Sequence, residues 1–432
     1  MQTLLRATLG TPTTLVQVRG GELNRRHLLQ AALLGLVPGS LAMTACQAIP
    51  SAPKPEYFAD AIKREAPGTP APSSLWPMAV GLLSGLPAGN ALVSPLSLAN
   101  ALGMLRNGAR GQSAAELDSF FGSSVAALNT ELNTLSQTLA AITKGGQATM
   151  TSANSIWVKP GIAWKQDFLD ELARWYGAGL YKVDFAADPE GAARAINGWV
   201  STATNGLIPT IVDRSLLTPA TVSVLANAVH LKGAWTTRFD PSKTADAPFT
   251  TSSGTRVTVP MMRGNVKRAF VSTNAWDAAL LPLRDESLAL ALVMPIQGGL
   301  KGNPPVEAFQ QLLSAPISEK FIAMPRWTFA SGEELSGDLK ALGVRTIFTP
   351  AADFTGMADT PPLRVSFVSH RAFISVNEDG AEAAAGSSIG MAAGASRLVA
   401  EFNRAFWYAL VHVPTGTPLF LGRLDDPSTA HA

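Results

Sequence analysis

Between two apolar stretches near the C-terminus lies NEDGAEAAAGSSIGMAAGAS, residues 377–396. Two acids and a glycine open it, and most of the remaining residues are Ala, Gly or Ser. Phe373, Ile374 and Val376 before it, and Phe402, Phe406 and Trp407 after it, read as buried strands. A fold that buries both flanks must therefore carry a long segment with little side chain to hold it in place. Composition alone makes it a flexible surface loop or a linker. Strand periodicity gives a second reading. One face carries Ala381, Ala383, Ala385, Ser387, Ile389 and Met391, and the other Glu382, Ala384, Gly386, Ser388 and Gly390. The first face is small or apolar, and the only charge, Glu382, falls on the second. A one-residue slip would bury Glu382, so the register is specified. The segment reads as a latent strand, able to stand out as a loop or to enter a sheet. Gly380 gives its base backbone freedom.

Around this segment the chain is ordinary and large. Its 432 residues suffice for one large domain or two ordinary ones, and 47% are apolar. The formal charge of +2 arises from 34 basic and 32 acidic residues with no basic stripe, which argues against a nucleic-acid partner. One cysteine, Cys46, excludes an internal disulfide and a cysteine-rich metal site. The five histidines are scattered without an HExxH pattern, so neither a metal nor another cofactor is expected. Leu98, Leu102 and Leu105 lie on one helical face after the start signal Ser94-Pro95. Residues 166–176 and 196–203 suggest two more helices. Runs at 223–231, 288–295, 365–369, 406–413 and 418–424 read as strands. Helices dominate the first half and strands the second, which predicts an α+β fold.

The N-terminus reads as an address. Arg25 and Arg26 precede an apolar run over 28–37 that is too short to span a bilayer. Pro38-Gly39 and small residues then lead to Met43-Thr44-Ala45-Cys46. Residues 1–45 resemble an export signal of bacterial lipoproteins, with twin arginines and a lipobox. The bland alternative for Cys46 is a buried thiol in a core helix. Residues 46–73, rich in Pro, Ala and Ser, are expected to form an unpacked tether between a lipidated Cys46 and a domain over 74–428, with a short tail at 429–432. Localisation at the cell envelope or outside the cell is the corresponding expectation.

Several motifs, in order, carry a more specific likeness. They are Asn90-Ala-Leu-Val-Ser94-Pro95-Leu-Ser97-Leu98; Gly108-Ala109-Arg110-Gly111 with Glu116-Leu117; and Ile196-Asn197-Gly-Trp199-Val200 with Thr204 and Gly206. Next comes Asn227-Ala228-Val-His230-Leu-Lys232-Gly233-Ala-Trp235, with Phe239 and Thr244. The last are Ala352-Asp353-Phe354-Thr355-Gly356, Val368-Ser369-His370-Arg371-Ala372-Phe373 and Asn377-Glu378-Asp379-Gly380 with Glu382-Ala383-Ala384-Ala385. Over about residues 75–427 the chain resembles a serpin. Three departures are Ala381, His230 and Ala405, where the family usually has Thr or Ser, an aromatic residue and Pro.

The resemblance implies the serpin fold, with helices packed on a large central sheet and an exposed reactive loop at about 378–399. It implies no enzymatic activity. The chain would be a monomeric suicide inhibitor of a serine protease, which cuts the loop and is held as a covalent acyl-enzyme while the loop inserts. Glu378, Asp379, Gly380, Ala381, Glu382, Ala383, Ala384 and Ala385 would be the hinge. Ser94, Ser97, Asn227, His370, Trp235 and Arg326 would control sheet opening, with Arg326 paired with Glu378. Sixteen residues on from Glu378 the reactive bond falls between Gly394 and Ala395. Small residues there suit an elastase-like or subtilisin-like target. A non-inhibitory serpin that serves as a binding protein is the alternative. A remoter one is a hydrolase, because Gly386-Ser387-Ser388-Ile389-Gly390 matches the G-x-S-x-G pattern. Ser388 would then need Glu401 with His412, or Asp425 with His431.

Overall fold

A computed structural model of the chain describes residues 56–59, 61–145, 148–359, 362–381 and 400–429. The chain builds α1 (Trp76–Gly85), β1 (Ala91–Val93), α2 (Pro95–Gly108), α3 (Gly111–Phe121), α4 (Val125–Lys144), β2 (Ala148–Val158), α5 (Gln166–Glu171), β3 (Leu180–Lys182), α6 (Pro189–Ala203) and β4 (Ser223–Ala234). It continues with β5 (Ala245–Thr250), β6 (Arg256–Ser272), β7 (Trp276–Pro282), β8 (Leu288–Pro295), α7 (Val306–Ser314), β9 (Ser318–Pro325), β10 (Trp327–Glu334), α8 (Ser336–Ala341) and β11 (Phe367–Val376). The last strands are β12 (Gly380–Ala381), β13 (Ala400–Glu401), β14 (Phe406–His412) and β15 (Thr417–Leu424). Helices gather in the first half and strands in the second, an α+β arrangement.

Local chemistry explains the main helices. Ser94 caps α2, its hydroxyl accepting from the Ser97 N–H, and Pro95 occupies the first turn. Leu98, Leu102 and Leu105 are buried. Asp188 caps α6 in the same way, with Pro189 behind it. The first turns of α6 are PEGAARA, without an apolar stripe, so sequence periodicity detects only its second half. The predicted helix over 166–176 divides into α5 and a wider π-type turn at Leu172–Tyr176.

Two sheets form the body. Among the described residues, one has the order β10-β11-β12-β4-β2-β3. The other runs β1-β15-β14-β8-β7-β6-β9-β13, with β5 beside β6. β14 is buried along its whole length, and β8 along all but its last residue, as continuous apolar runs require. Helix α2 packs between the sheets, against β2, β4 and β15. Helix α6 covers the other face of the six-stranded sheet, where Ile196, Trp199 and Val200 pack with Trp157, Val224, Ala226, Ala228, Phe367 and Phe373.

The tether expected over 46–73 is corrected across its described part. Tyr57 pairs antiparallel with Leu180, with backbone bonds of 3.1 and 2.9 Å. Asn133 of α4 accepts from Arg64 Nε at 3.0 Å and donates to the Glu65 and Ala66 carbonyls. The Gly68 N–H donates to Thr134 Oγ1 at 2.8 Å, and the Ser73 N–H to the Thr415 carbonyl at 3.1 Å. The segment is a strap laid along the domain. Its first part also packs by side chain, with Ala59 buried in the core and Tyr57, Phe58 and Ile62 against it, and beyond Ile62 polar bonds carry the attachment.

Candidate functional site

The hinge sits where the six-stranded sheet divides. Over most of their length β11 and β4 pair directly and in parallel, from Phe367 opposite Val224 to Phe373 opposite His230. Above that point β12 lies between them, Ala381 pairing with Val376 on one side and with Gly233 on the other. Gly380 faces Ala234, and a Cβ placed on it would come within 2.1 Å of the Gly233 carbonyl oxygen. Only glycine fits that approach.

A four-residue turn leads into β12. The Asn377 N–H donates to the Gly380 carbonyl at 2.9 Å, and Asn377 Oδ1 accepts from the Asp379 N–H at 3.0 Å. The turn is docked on the chain after β4. Trp235, fully buried, donates through Nε1 to the Asn377 carbonyl at 2.8 Å, and its N–H donates to the Asp379 carbonyl at 3.0 Å. Asp379 lies 3.2 Å from Arg238. Glu378 is 9% exposed, and its carboxylate accepts from Thr244 Oγ1 at 2.6 Å. Arg326 stands 3.8 Å from the same oxygen, with about half of its side chain in solvent. The structure thus places Arg326 and Glu378 together, with Thr244 the nearer partner. Sequence reading assigned Thr244 no role, although it stands in a quoted motif.

Lower in the sheet a polar network crosses between layers. Ser94 Oγ donates to the Leu419 carbonyl at 2.7 Å, and the Ser94 N–H donates to His370 Nε2 at 3.1 Å. The ring proton is therefore on Nδ1, which donates to Asn227 Oδ1. Asn227 Nδ2 in turn donates to Asn154 Oδ1, which also accepts from Ser97 Oγ at 3.2 Å. Burial lowers the His370 pKa to about 4 and keeps the ring neutral. The network joins α2, β2, β4, β11 and β15 through the two strands that the hinge divides. Asn154 was missed at the sequence level; a polar residue in the strand-like run SANSIWV was its only signal. His230, one of the three departures, packs its ring 5.8 Å from Phe373 across the β4–β11 seam.

Glu382, Ala383, Ala384, Ala385, Ser388, Gly394, Ala395 and Cys46 lie outside the described residues, as does His431. The hydrolase reading loses one of its two partner sets. His412 is buried in β14, its Nδ1 engaged with Thr415 Oγ1 at 2.8 Å. Glu401 is in β13, separated from β14 in the sheet by β8, β7, β6 and β9. Phe402, next to Glu401, packs on Phe406 at the start of β14, and His412 ends that strand roughly 20 Å further on. Asp425 is occupied by the Ser252 N–H at 2.7 Å.

Comparison with known proteins agrees with this architecture. Residues 80–427 match the family model described as Serpin (serine protease inhibitor). The leukocyte elastase inhibitor of Bos taurus is 32% identical over 367 residues, covering 79% of this chain and 94% of that protein. Neuroserpin of Homo sapiens is 31% identical, with coverage of 79% and 87%. The crystal structure of the thermophilic serpin tengpin in its native state superposes with a TM-score of 0.75 at 26% identity, covering 86% of this chain and all of that one. A hinge entering a divided sheet, a buried network beneath it and a family match over most of the length lead to one assignment: the chain belongs to the serpin family of serine protease inhibitors.

Proposed function

We propose that the chain inhibits an elastase-like or subtilisin-like serine protease by inserting its own cleaved loop between β4 and β11. The protease serine attacks the Gly394 carbonyl, the amine of Ala395 leaves, and an ester joins Gly394 to the enzyme. Insertion then carries the ester away from the cleavage position and distorts the protease before water can hydrolyse it.

The register of β12 is the observation that carries this reading. Ala381 sits opposite Gly233 and Val376. Continued downward, the strand brings Ala384 between His230 and Phe373, which now face one another. No slip is needed on either side. The same continuation sets Ala385 and Ile389 beside Val229 and Leu225, which belong to the main core. Ala384, Gly386, Ser388 and Gly390 pass beneath α6 beside His230, Ala228, Ala226 and Val224. Ser387 arrives between Asn227 and His370, where its hydroxyl can donate and accept as those two part. Glu382, the one charge of the hinge, comes alongside Lys232, an opposite-charge cross-strand pair.

Residues 1–45 would direct export, and a lipid on Cys46 would hold the protein to a membrane. Loss of membrane association in Cys46→Ala, with lipid mass on the wild-type N-terminal peptide, tests that part. Incubation with pancreatic elastase and with subtilisin tests inhibition. The expected result is a covalent complex at the summed mass on denaturing gels, with a released fragment beginning at Ala395. Cleavage without complex would instead make the chain a substrate and favour a non-inhibitory role.

A further inference from the structure

The strap changes where a membrane anchor would act. A free tether over all of 46–73 would reach roughly 90 Å at full extension, enough to clear any protease. Strap contacts at Tyr57, Arg64, Glu65, Gly68 and Ser73 leave only the segment before Glu56 as a spacer.

The direction of that spacer is set by the sheet. β12 enters at Ala234, and β4 runs 12 residues from there to Ser223 at the far end, a span of roughly 36 Å. Ser223 pairs with Val158, and Val158 with Lys182. β3 therefore runs toward the far end. Tyr57 lies antiparallel to β3, so the chain before it leaves past that end. The Lys182 N–H donates to the Glu56 carboxylate at 2.9 Å, which fixes the exit. Continued in the β12 register, Met391 reaches Ser223. Gly394, carrying the protease, then emerges at the same end. Four strand spacings, roughly 19 Å, separate it from Tyr57.

We propose that the end of the six-stranded sheet remote from the hinge faces the bilayer, so that a trapped protease is delivered to the membrane side and the length of residues 47–55 limits trapping. This rests on the inhibitory reading and on anchorage at Cys46. Before cleavage the hinge, at the other end of β4, is remote from the membrane. After cleavage the protease must fit beside a short spacer. Pro50, Pro53 and Pro55 favour an extended spacer of ~3.1 Å per residue, or ~31 Å from Cys46 to Glu56. A protease domain of about 220 residues is roughly 45 Å across. The spacer is shorter than the body it must admit, so trapping on a membrane requires the domain to tilt or the insertion to stall.

The only cysteine allows a test that does not depend on natural lipidation. The full chain is coupled through Cys46 to maleimide-lipid in phosphatidylcholine vesicles, or its thiol is capped with N-ethylmaleimide. Wild type, a deletion of residues 48–53 and an insertion of fifteen Gly/Ser residues after Ala48 are each mixed with pancreatic elastase and with subtilisin. The three capped chains should give equal covalent complex. Coupled to vesicles, the deletion should lose at least three-fold of its complex in favour of cleaved inhibitor, and the insertion should match the capped chain. Equal complex from the coupled and capped deletion would overturn the placement alone. No complex from any capped chain would overturn the inhibitory reading, and the placement with it.

Discussion

His370 shows how much one buried side chain can constrain the sheet. Its Nε2 accepts from the Ser94 N–H, so a second ring proton would face a donor. The ordinary pKa is 6.5, and burial lowers it to about 4 in the fold. The unfolded chain takes up this proton as pH falls below 6.5, while the folded protein does not until about pH 4. Stability from the neutral ring is therefore complete above pH 6.5 and is lost on acidification toward pH 4, by about 3 kcal/mol. His370→Gln should lower the thermal midpoint at pH 7 and reduce its fall between pH 7 and pH 4.5, at one fixed heating rate. An unchanged pH slope would remove His370 as its source. Glu378 offers a second test. Its bond from Thr244 is short and shielded, worth about 1.5–3 kcal/mol as a charge-assisted hydrogen bond. The half-exposed Arg326 contributes at most ~1 kcal/mol after solvent screening. Thr244→Val should therefore open the hinge more than Arg326→Ala, read as faster polymer formation on native gels after mild heating. The reverse order would make the ion pair the main latch. Glu378→Lys removes both contacts and should polymerise fastest.

At the scale of elements, patterns that use apolar side chains were readable in the sequence and attachments made by backbone were not. β8 was read to its ends, and α2 was recognised from Ser94-Pro95 and its leucines. The strand read at 365–369 and the buried strand read at Phe373, Ile374 and Val376 proved to be one 10-residue strand, β11, whose apolar run Arg371 interrupts. Helix α4, 20 residues long, escaped detection. Its buried positions include Asn129, Asn133 and Thr134, which dilute the apolar stripe and hold neighbouring segments instead. The strap from Arg64 to Gly68 was unreadable for the same reason, since its partners there are amides and hydroxyls on α4. At the site, the entry of the hinge at Gly380 and Ala381 was legible, and the alternation read beyond it lies outside the described residues. Asn154 and Thr244 were not legible, because a hydrogen-bond partner brought in from a distant element leaves no periodic trace. Asn133 is 1% exposed and takes part in bonds with Arg64, Glu65, Ala66 and Gln137. Asn133→Ala should free the strap while leaving the domain folded. Limited trypsin digestion should then cut after Lys63 or Arg64 at least ten-fold faster than in wild type. Equal rates would mean that the strap does not depend on this side chain.

At the scale of the whole molecule, the proposed mechanism needs a strand from residues 382–391 and a place for it in the six-stranded sheet. β12 already lies between β4 and β11 at the top, and the direct β4–β11 pairing below it has the register that a continued strand would meet once the two part. Under the proposed mechanism the native fold would be a kinetically held state, stable only while the loop is intact or insertion is slow. Entry of residues 382–391 would add a ladder of backbone bonds on both sides and bury Ile389 and Met391. A gain of about 15 kcal/mol would raise the unfolding midpoint by roughly 20 °C for a domain of this size. The most direct measurement compares thermal unfolding of the intact protein with that of protein cut once within residues 382–399, by a protease that is not trapped, at one heating rate. The expected result is a cleaved form that unfolds at least 20 °C higher, with its C-terminal fragment still bound. A cleaved form that unfolds at the same temperature or lower would contradict the claim that the loop is a strand in waiting.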